Sequence, residues 1–215
     1  MEKVVIVGGG GFVKCIINYV ENDKKLQIVG YTDMHDNGEI LGYRWIGTDN
    51  ILPQLLQQGV KYAVIGVGLR LNDSTLKRKM TEHVLSLGFK IPTICGQNVV
   101  IHRGAIIEEG VVLRDGCIIQ AGTVVKAHAM IGDNVFIGHD SIIGKYAHVV
   151  AMSNIGRDCV VGEGAMIGTA CTLLNGVTIG KGVLIGAKSL VNRDCLESGK
   201  TYLGHPVKLY ERKNG

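Results

Sequence analysis

The 215-residue sequence predicts an α/β half followed by a parallel β-solenoid. Three observations carry this. Strand and helix signals alternate up to about residue 91. From Ile101 onward the chain repeats every six residues. Finally, only 5% of residues are aromatic while Gly reaches 31, which suits a narrow interior of small and aliphatic side chains with many turns.

In the first half, Lys3–Val7 (KVVIV) is a β-rich run closed by glycines, and Val13–Val20 reads as a helix. Gln27–Tyr31 is a second strand, ending near Asp33. Asp49 reads as the N-cap of a helix over Ile51–Gln58, which Gly59 ends. Tyr62–Val67 is a third strand. Ser74 is placed to cap a last helix, Thr75–Leu87, before Gly88. This order predicts a parallel sheet with helices packed on it, a small Rossmann-like unit too short for a complete dinucleotide fold. The sequence thus divides into residues 1–91 and 92–215.

In the second half, every sixth residue from Ile101 to Val191 is aliphatic, sixteen in succession. The residue two places before each is small or β-branched, from Val99 through Cys117, Ser141 and Cys171 to Ser189. Neither a helix nor an ordinary strand has this period. A solenoid does, if each hexad is one short strand and a corner, with three hexads per coil and a little over five coils in all. The glycines that often follow the anchor (Gly132, Gly138, Gly144, Gly156 and others) are expected to supply the backbone angles of tight corners. Cys117, Cys159 and Cys171 fall on the small interior position and read as core fillers.

Composition excludes several classes. With 46% hydrophobic residues, 20% charged residues and three prolines, the chain is neither collagen-like nor Pro-rich disorder. No apolar run reaches the length of a membrane span, and Met1–Gly8 lacks the logic of a secretory signal. A net charge of +4 is too small to argue nucleic-acid binding, and an anionic small molecule suits it equally well. None of the six cysteines forms a C-x-x-C pair, so free thiols in a reducing cytoplasm are expected.

The hexad pattern resembles the hexapeptide-repeat acyltransferases, and the resemblance implies a left-handed coil. VVIVGGGGFVKCI, IVGYTD, YAVIGVG, IGHDSIIGKYAHV, TIGKGVLIGAKSLV and GHPVK are similar to the sialic acid O-acetyltransferase NeuD family, which includes the bacterial nucleotide-4-amino-sugar N-acetyltransferases. The resemblance implies a homotrimer. It also implies transfer of an acetyl group from acetyl-CoA to the amine of a nucleotide-linked 4-amino-4,6-dideoxy sugar, for surface glycan or glycoprotein synthesis. O-acetylation of a sialic acid, or a non-catalytic sugar-nucleotide binder on the same fold, are the alternatives.

Such a reaction needs a base to take the proton of the attacking amine, and histidine beside a carboxylate suits that role. His139–Asp140 stands where the family has its catalytic histidine, although the family often has Glu in place of Asp140. By the same resemblance His148, Thr169 and Ala187 contact acetyl-CoA, and backbone amides along the β-helix stabilise the oxyanion. Nine residues, half a coil, separate His139 from His148, so the two point to nearly opposite sides of one β-helix and share a site only where subunits meet.

No metal is expected. His128, His139 and His148 are the candidates for a three-histidine zinc site, and no spacing brings them together. His102 and His128 read as surface residues.

Gly8–Gly11, between a strand and a helix, lets backbone amides approach a phosphate, but the strict G-x-G-x-x-G fails at Val13. The resemblance places the nucleotide-sugar acceptor here, at Gly10, Gly11, Phe12, Asp33 and Gly66. Three departures stand out. Phe12 replaces a family histidine, Arg157 replaces a glycine near bound CoA, and Ala151–Met152 replaces Pro-Gly.

Overall fold

The computed structural model describes residues 1–68 and 75–211, which form two compact units, Met1–Cys95 and Gly96 onward.

In the first unit, β1 (Glu2–Val7) lies between β2 (Leu26–Thr32) and β3 (Tyr62–Ile65), all parallel. The apolar runs VVIV and, after Tyr62, AVI are buried, as strands covered on both faces must be. Helix α1 (Val13–Asn22) buries Val13, Ile16, Ile17 and Val20, an i, i+3, i+4, i+7 stripe. Helix α2 (Leu52–Gln57) follows a short 3₁₀ turn over Asp49–Ile51. Asp49 does not cap it, contrary to expectation. Its carboxylate instead accepts the hydroxyl of Thr32 at 2.6 Å, tying the turn to the end of β2. Helix α3 spans Thr75–Ser86, and Ser74, expected to cap it, lies outside the described residues.

The second unit is a parallel β-helix. Two-residue strands stack with partners eighteen residues apart, for example Phe136 on Asn154 and Ile142 on Val160. Three faces result. One runs through Val112–Leu113, Met130–Ile131, His148–Val149, Met166–Ile167 and Leu184–Ile185. A second runs from Val100–Ile101 through Phe136–Ile137 to Leu190–Val191, and a third from Ile106–Ile107 to Thr178–Ile179. Anchors from Leu113 onward are buried. Ile101, in the first coil with no coil before it to cover its edge, is 45% exposed.

The small interior positions do more than fill space. Thr123, Ser141 and Ser153 each donate a hydroxyl hydrogen bond, at 2.9 Å, to the carbonyls of Gly138, Gly156 and Gly168. Each bond satisfies a carbonyl at a corner.

The glycines after the anchors have a different purpose from the expected one. Their φ values are ordinary. A Cβ on Gly138 would come within 2.6 Å of the Arg157 amide nitrogen, and one on Gly168 within 2.7 Å of that of Ala187. Close approach of the next coil demands glycine there. The left-handed φ falls at another position. Every sixth residue from Asn98 to Lys188 has it, including His128, Asp140, Tyr146, Met152, Asp158 and Ala170. Asn and Asp take this conformation most readily after glycine.

Candidate active site

His139 and Asp140 occupy the corner between the second and third faces. Gly138 ends the strand and Asp140 holds φ 58°, turning its carboxylate back beside its own neighbour. Nδ1 of His139 lies 2.7 Å from Oδ2 of Asp140. With the proton on Nδ1 the imidazole donates to that carboxylate and leaves the Nε2 lone pair available. The imidazole is 46% exposed, open to a reactant. From the preceding coil, Gln120 Oε1 accepts the His139 backbone N–H at 3.2 Å. From the following coil, the Asp158 N–H donates to the His139 carbonyl at 3.0 Å. The ring is thus carried on a backbone fixed from both sides, as a proton acceptor must be.

Thr169 and Ala187 lie at a different corner, after the first face. They are one coil apart, and the Lys188 N–H donates to the Thr169 carbonyl at 2.8 Å. Both residues are exposed. His148 sits within the first face, paired with Met130 and Met166, and is only 8% exposed. Within one chain, therefore, the second face separates the His139 corner from the Thr169–Ala187 corner.

His128 is corrected by the structure. It is buried and stacked on Tyr146, eighteen residues on, with ring centroids 5.2 Å apart. His128, His139 and His148 fall on one corner, another corner and a face, and do not converge. Donor atoms of His139, Asp140 and Asp158 do lie within 4.8 Å of one another, but Asp158 is engaged by Arg157, whose Nη1 donates to its Oδ2 at 2.6 Å.

In the first unit, the expected acceptor residues gather where the three strands end. Gly10 and Gly11 are exposed at the entrance to α1, with Phe12 next to them. Asp33 reaches the same turn, where its Oδ2 accepts the Gly9 N–H at 2.6 Å. Asn37 joins it, donating from Nδ2 to the Gly9 carbonyl at 3.3 Å. Gly66 is buried, and a Cβ there would meet Val13 Cγ2 at 2.7 Å and the Gly8 carbonyl at 2.8 Å. It closes the turn by tight packing. This is the strand-end position at which open α/β sheets bind ligands.

Sequence reading missed Gln120, Gly122 and Asp158 at the His139 corner. An eighteen-residue shift from Asp140 finds Gly122 and Asp158, while Gln120 stands nineteen residues before His139. Asn37 carried no comparable signal.

Residues 3–84 match the PglD N-terminal domain family. Residues 92–127 and 158–193 match the bacterial transferase hexapeptide family, and residues 129–144 match the hexapeptide repeat of succinyl-transferase. The chain is a PglD-like hexapeptide-repeat acyltransferase. PglD-like folds recur among solved structures. The acetyltransferase domain of PglB from Neisseria gonorrhoeae is 25% identical, with a TM-score of 0.86 over 98% of this chain and 100% of that one. PerB from Caulobacter crescentus, solved with CoA and GDP-perosamine, is 25% identical, with a TM-score of 0.73 over 98% of each chain. WeeI from Acinetobacter baumannii, at 18% identity and a TM-score of 0.79 over 98% of this chain and 100% of that one, shares the fold. No curated protein matches the chain.

Among the described residues, no helix is long and apolar enough to cross a membrane.

Proposed function

We propose that this PglD-like protein transfers the acetyl group of acetyl-CoA to the amine of a nucleotide-linked 4-amino-4,6-dideoxy sugar. The observation that carries the reading is the exposed His139–Asp140 pair, with Nδ1 and Oδ2 2.7 Å apart. The similar structures support the chemistry: the PglB domain was solved with acetyl-CoA, and PerB with CoA and GDP-perosamine.

The sugar amine attacks the thioester carbonyl. Nε2 of His139 takes a proton from the amine as the C–N bond forms, and Asp140 holds the tautomer and stabilises the imidazolium. Collapse of the tetrahedral intermediate breaks the C–S bond, and the imidazolium returns the proton to the departing thiolate. The products are the amide and free CoA. Asp33 and the Gly10–Phe12 turn receive the nucleotide sugar. His148, Thr169 and Ala187 receive acetyl-CoA from a neighbouring copy in a homotrimer. Two corners separated by a full face of the same β-helix are better placed to meet across a subunit boundary than within one chain. Six free cysteines suit a reducing cytoplasm.

The test is CoA release with acetyl-CoA and a panel of UDP-, dTDP- and GDP-linked 4-amino sugars and sialic acid, against a blank without acceptor. Turnover with one amino sugar, reduced roughly 10²- to 10⁴-fold in His139→Ala, is expected. Turnover with sialic acid alone overturns N-acetylation. Unchanged turnover in His139→Ala overturns the base. A monomer in light scattering overturns the shared site.

A further inference from the structure

The corner that holds His139 contains a second ionic pair that this transfer scheme does not use. Arg157 and Asp158 stand eighteen residues beyond His139 and Asp140, and the register of Phe136 on Asn154 and Ile137 on Ile155 puts them one coil on in the same corner. The two levels are locked together. The Asp158 N–H donates to the His139 carbonyl, and the bare Cα of Gly138 admits the Arg157 amide. The Asp158 carboxylate then reaches within 4.8 Å of both an imidazole nitrogen of His139 and the Asp140 carboxylate. The imidazole faces two carboxylates, and Arg157 is bonded to the second.

A carboxylate beside imidazole favours its protonated form. One, Asp140, fixes the tautomer. A second, left uncompensated, would bias the base further toward its protonated form. The side chains that adjoining coils bond to this corner, Gln120 on the His139 N–H and Asn175 on the Arg157 N–H, carry no charge. We infer that Arg157 and Asp158 are a charge-balanced positioning pair for His139: Asp158 faces the imidazole and Arg157 cancels its charge. This deepens the reading of His139 as base and rests on it.

The experiment is a histidine-ring NMR titration of the full-length protein, with the His139 signal assigned by its loss in His139→Ala, alongside the pH profile of kcat/KM. Arg157→Ala should move the His139 midpoint up by roughly half a pH unit, because Asp158 is freed. Asp158→Asn should move it down by a similar amount, because an unpaired guanidinium remains. The double variant should return close to the wild-type midpoint, and Arg157→Lys should hold it. Asparagine suits the left-handed φ of 56° at position 158, so that variant keeps the corner.

The acid limb of the rate profile should follow the midpoint. An Arg157→Ala midpoint that does not move, or a double variant that does not return, overturns the inference. So does a raised KM for acetyl-CoA with an unmoved midpoint, which would make Arg157 a phosphate contact. Turnover persisting in His139→Ala overturns the base alone, since the ring titration reads the pair without turnover.

Discussion

The carboxylate of Asp140 rests against the bare Cα of Gly122, one coil earlier in the same corner, where a Cβ would collide with its Oδ1. The partner of the base is therefore held by an absence of side chain. Gly122→Ala should displace Asp140 and lower kcat roughly tenfold or more. Its φ of +73° costs alanine roughly 1 kcal/mol. Ala170 holds the same hexad position, at another corner, with φ 55°, so the variant should fold with Tm reduced by a few degrees. A Tm loss with kcat intact would show that the placement of Asp140 is unimportant.

Replacing the carboxylate itself separates tautomer control from packing. Asp140→Asn keeps the shape of the corner and removes the charge facing Nδ1. Its kcat should fall roughly 10- to 100-fold with KM little changed, because an imidazolium forms only during reaction. Asp140→Glu should retain more activity than Asp140→Asn in the same steady-state assay.

The thiols bear on how the CoA assay is read. Cys117, Cys159, Cys171 and Cys195 are buried, while Cys15 and Cys95 are partly accessible. The thiols of Cys159 and Cys171 donate to the carbonyls of Leu174 (3.2 Å) and Gly186 (3.1 Å), and burial pushes both up. Burial pushes Cys195 up to about 11, leaving about one molecule in a thousand as thiolate at pH 8. A thiol reagent should titrate at most two cysteines in the native protein and all six in denaturant. Rapid labelling of more than two would contradict this interior.

Lys77, on the first turn of α3, is 6% exposed, and among the described residues its ammonium has no hydrogen-bond partner. Burial lowers it to about 8 from its usual 10.5. Between those values the unfolded chain binds a proton that the folded chain does not, so the cost is fully present below about pH 8 and vanishes as pH rises past 10.5. Lys77→Met should therefore gain up to about 3 kcal/mol at pH 7, shrinking toward zero near pH 10.5. Denaturant unfolding at the two pH values checks it. An equal gain at both would assign the effect to packing.

The β-helix was legible because its physics is local and repeated. Each coil needs one aliphatic anchor and one small neighbour at a fixed offset, and every hexad from Ile101 to Val191 meets that need. The strands of the α/β half were legible too, since buried parallel strands are short apolar runs. Asp49 misled because an Asp before an apolar run reads as a helix cap, whereas here a hydroxyl from a distant strand, Thr32, claims its carboxylate.

The sequence by itself determined the sixfold period, hence the solenoid and the adjacency of His139 to Asp140. Tertiary structure alone decided what each corner residue touches. Stacking at eighteen-residue register brings Gln120, Gly122, Arg157 and Asp158 to the corner of His139 and Asp140. It also makes glycine necessary by close approach after anchors such as Ile137 and Ile167, while the left-handed angles fall elsewhere in the hexad. The division is physical. Periodic burial is set by each residue's own hydrophobicity and so is written in composition along the chain. Contacts between side chains depend on which coils meet and on backbone angles at the corners, which exist only once the coils have stacked.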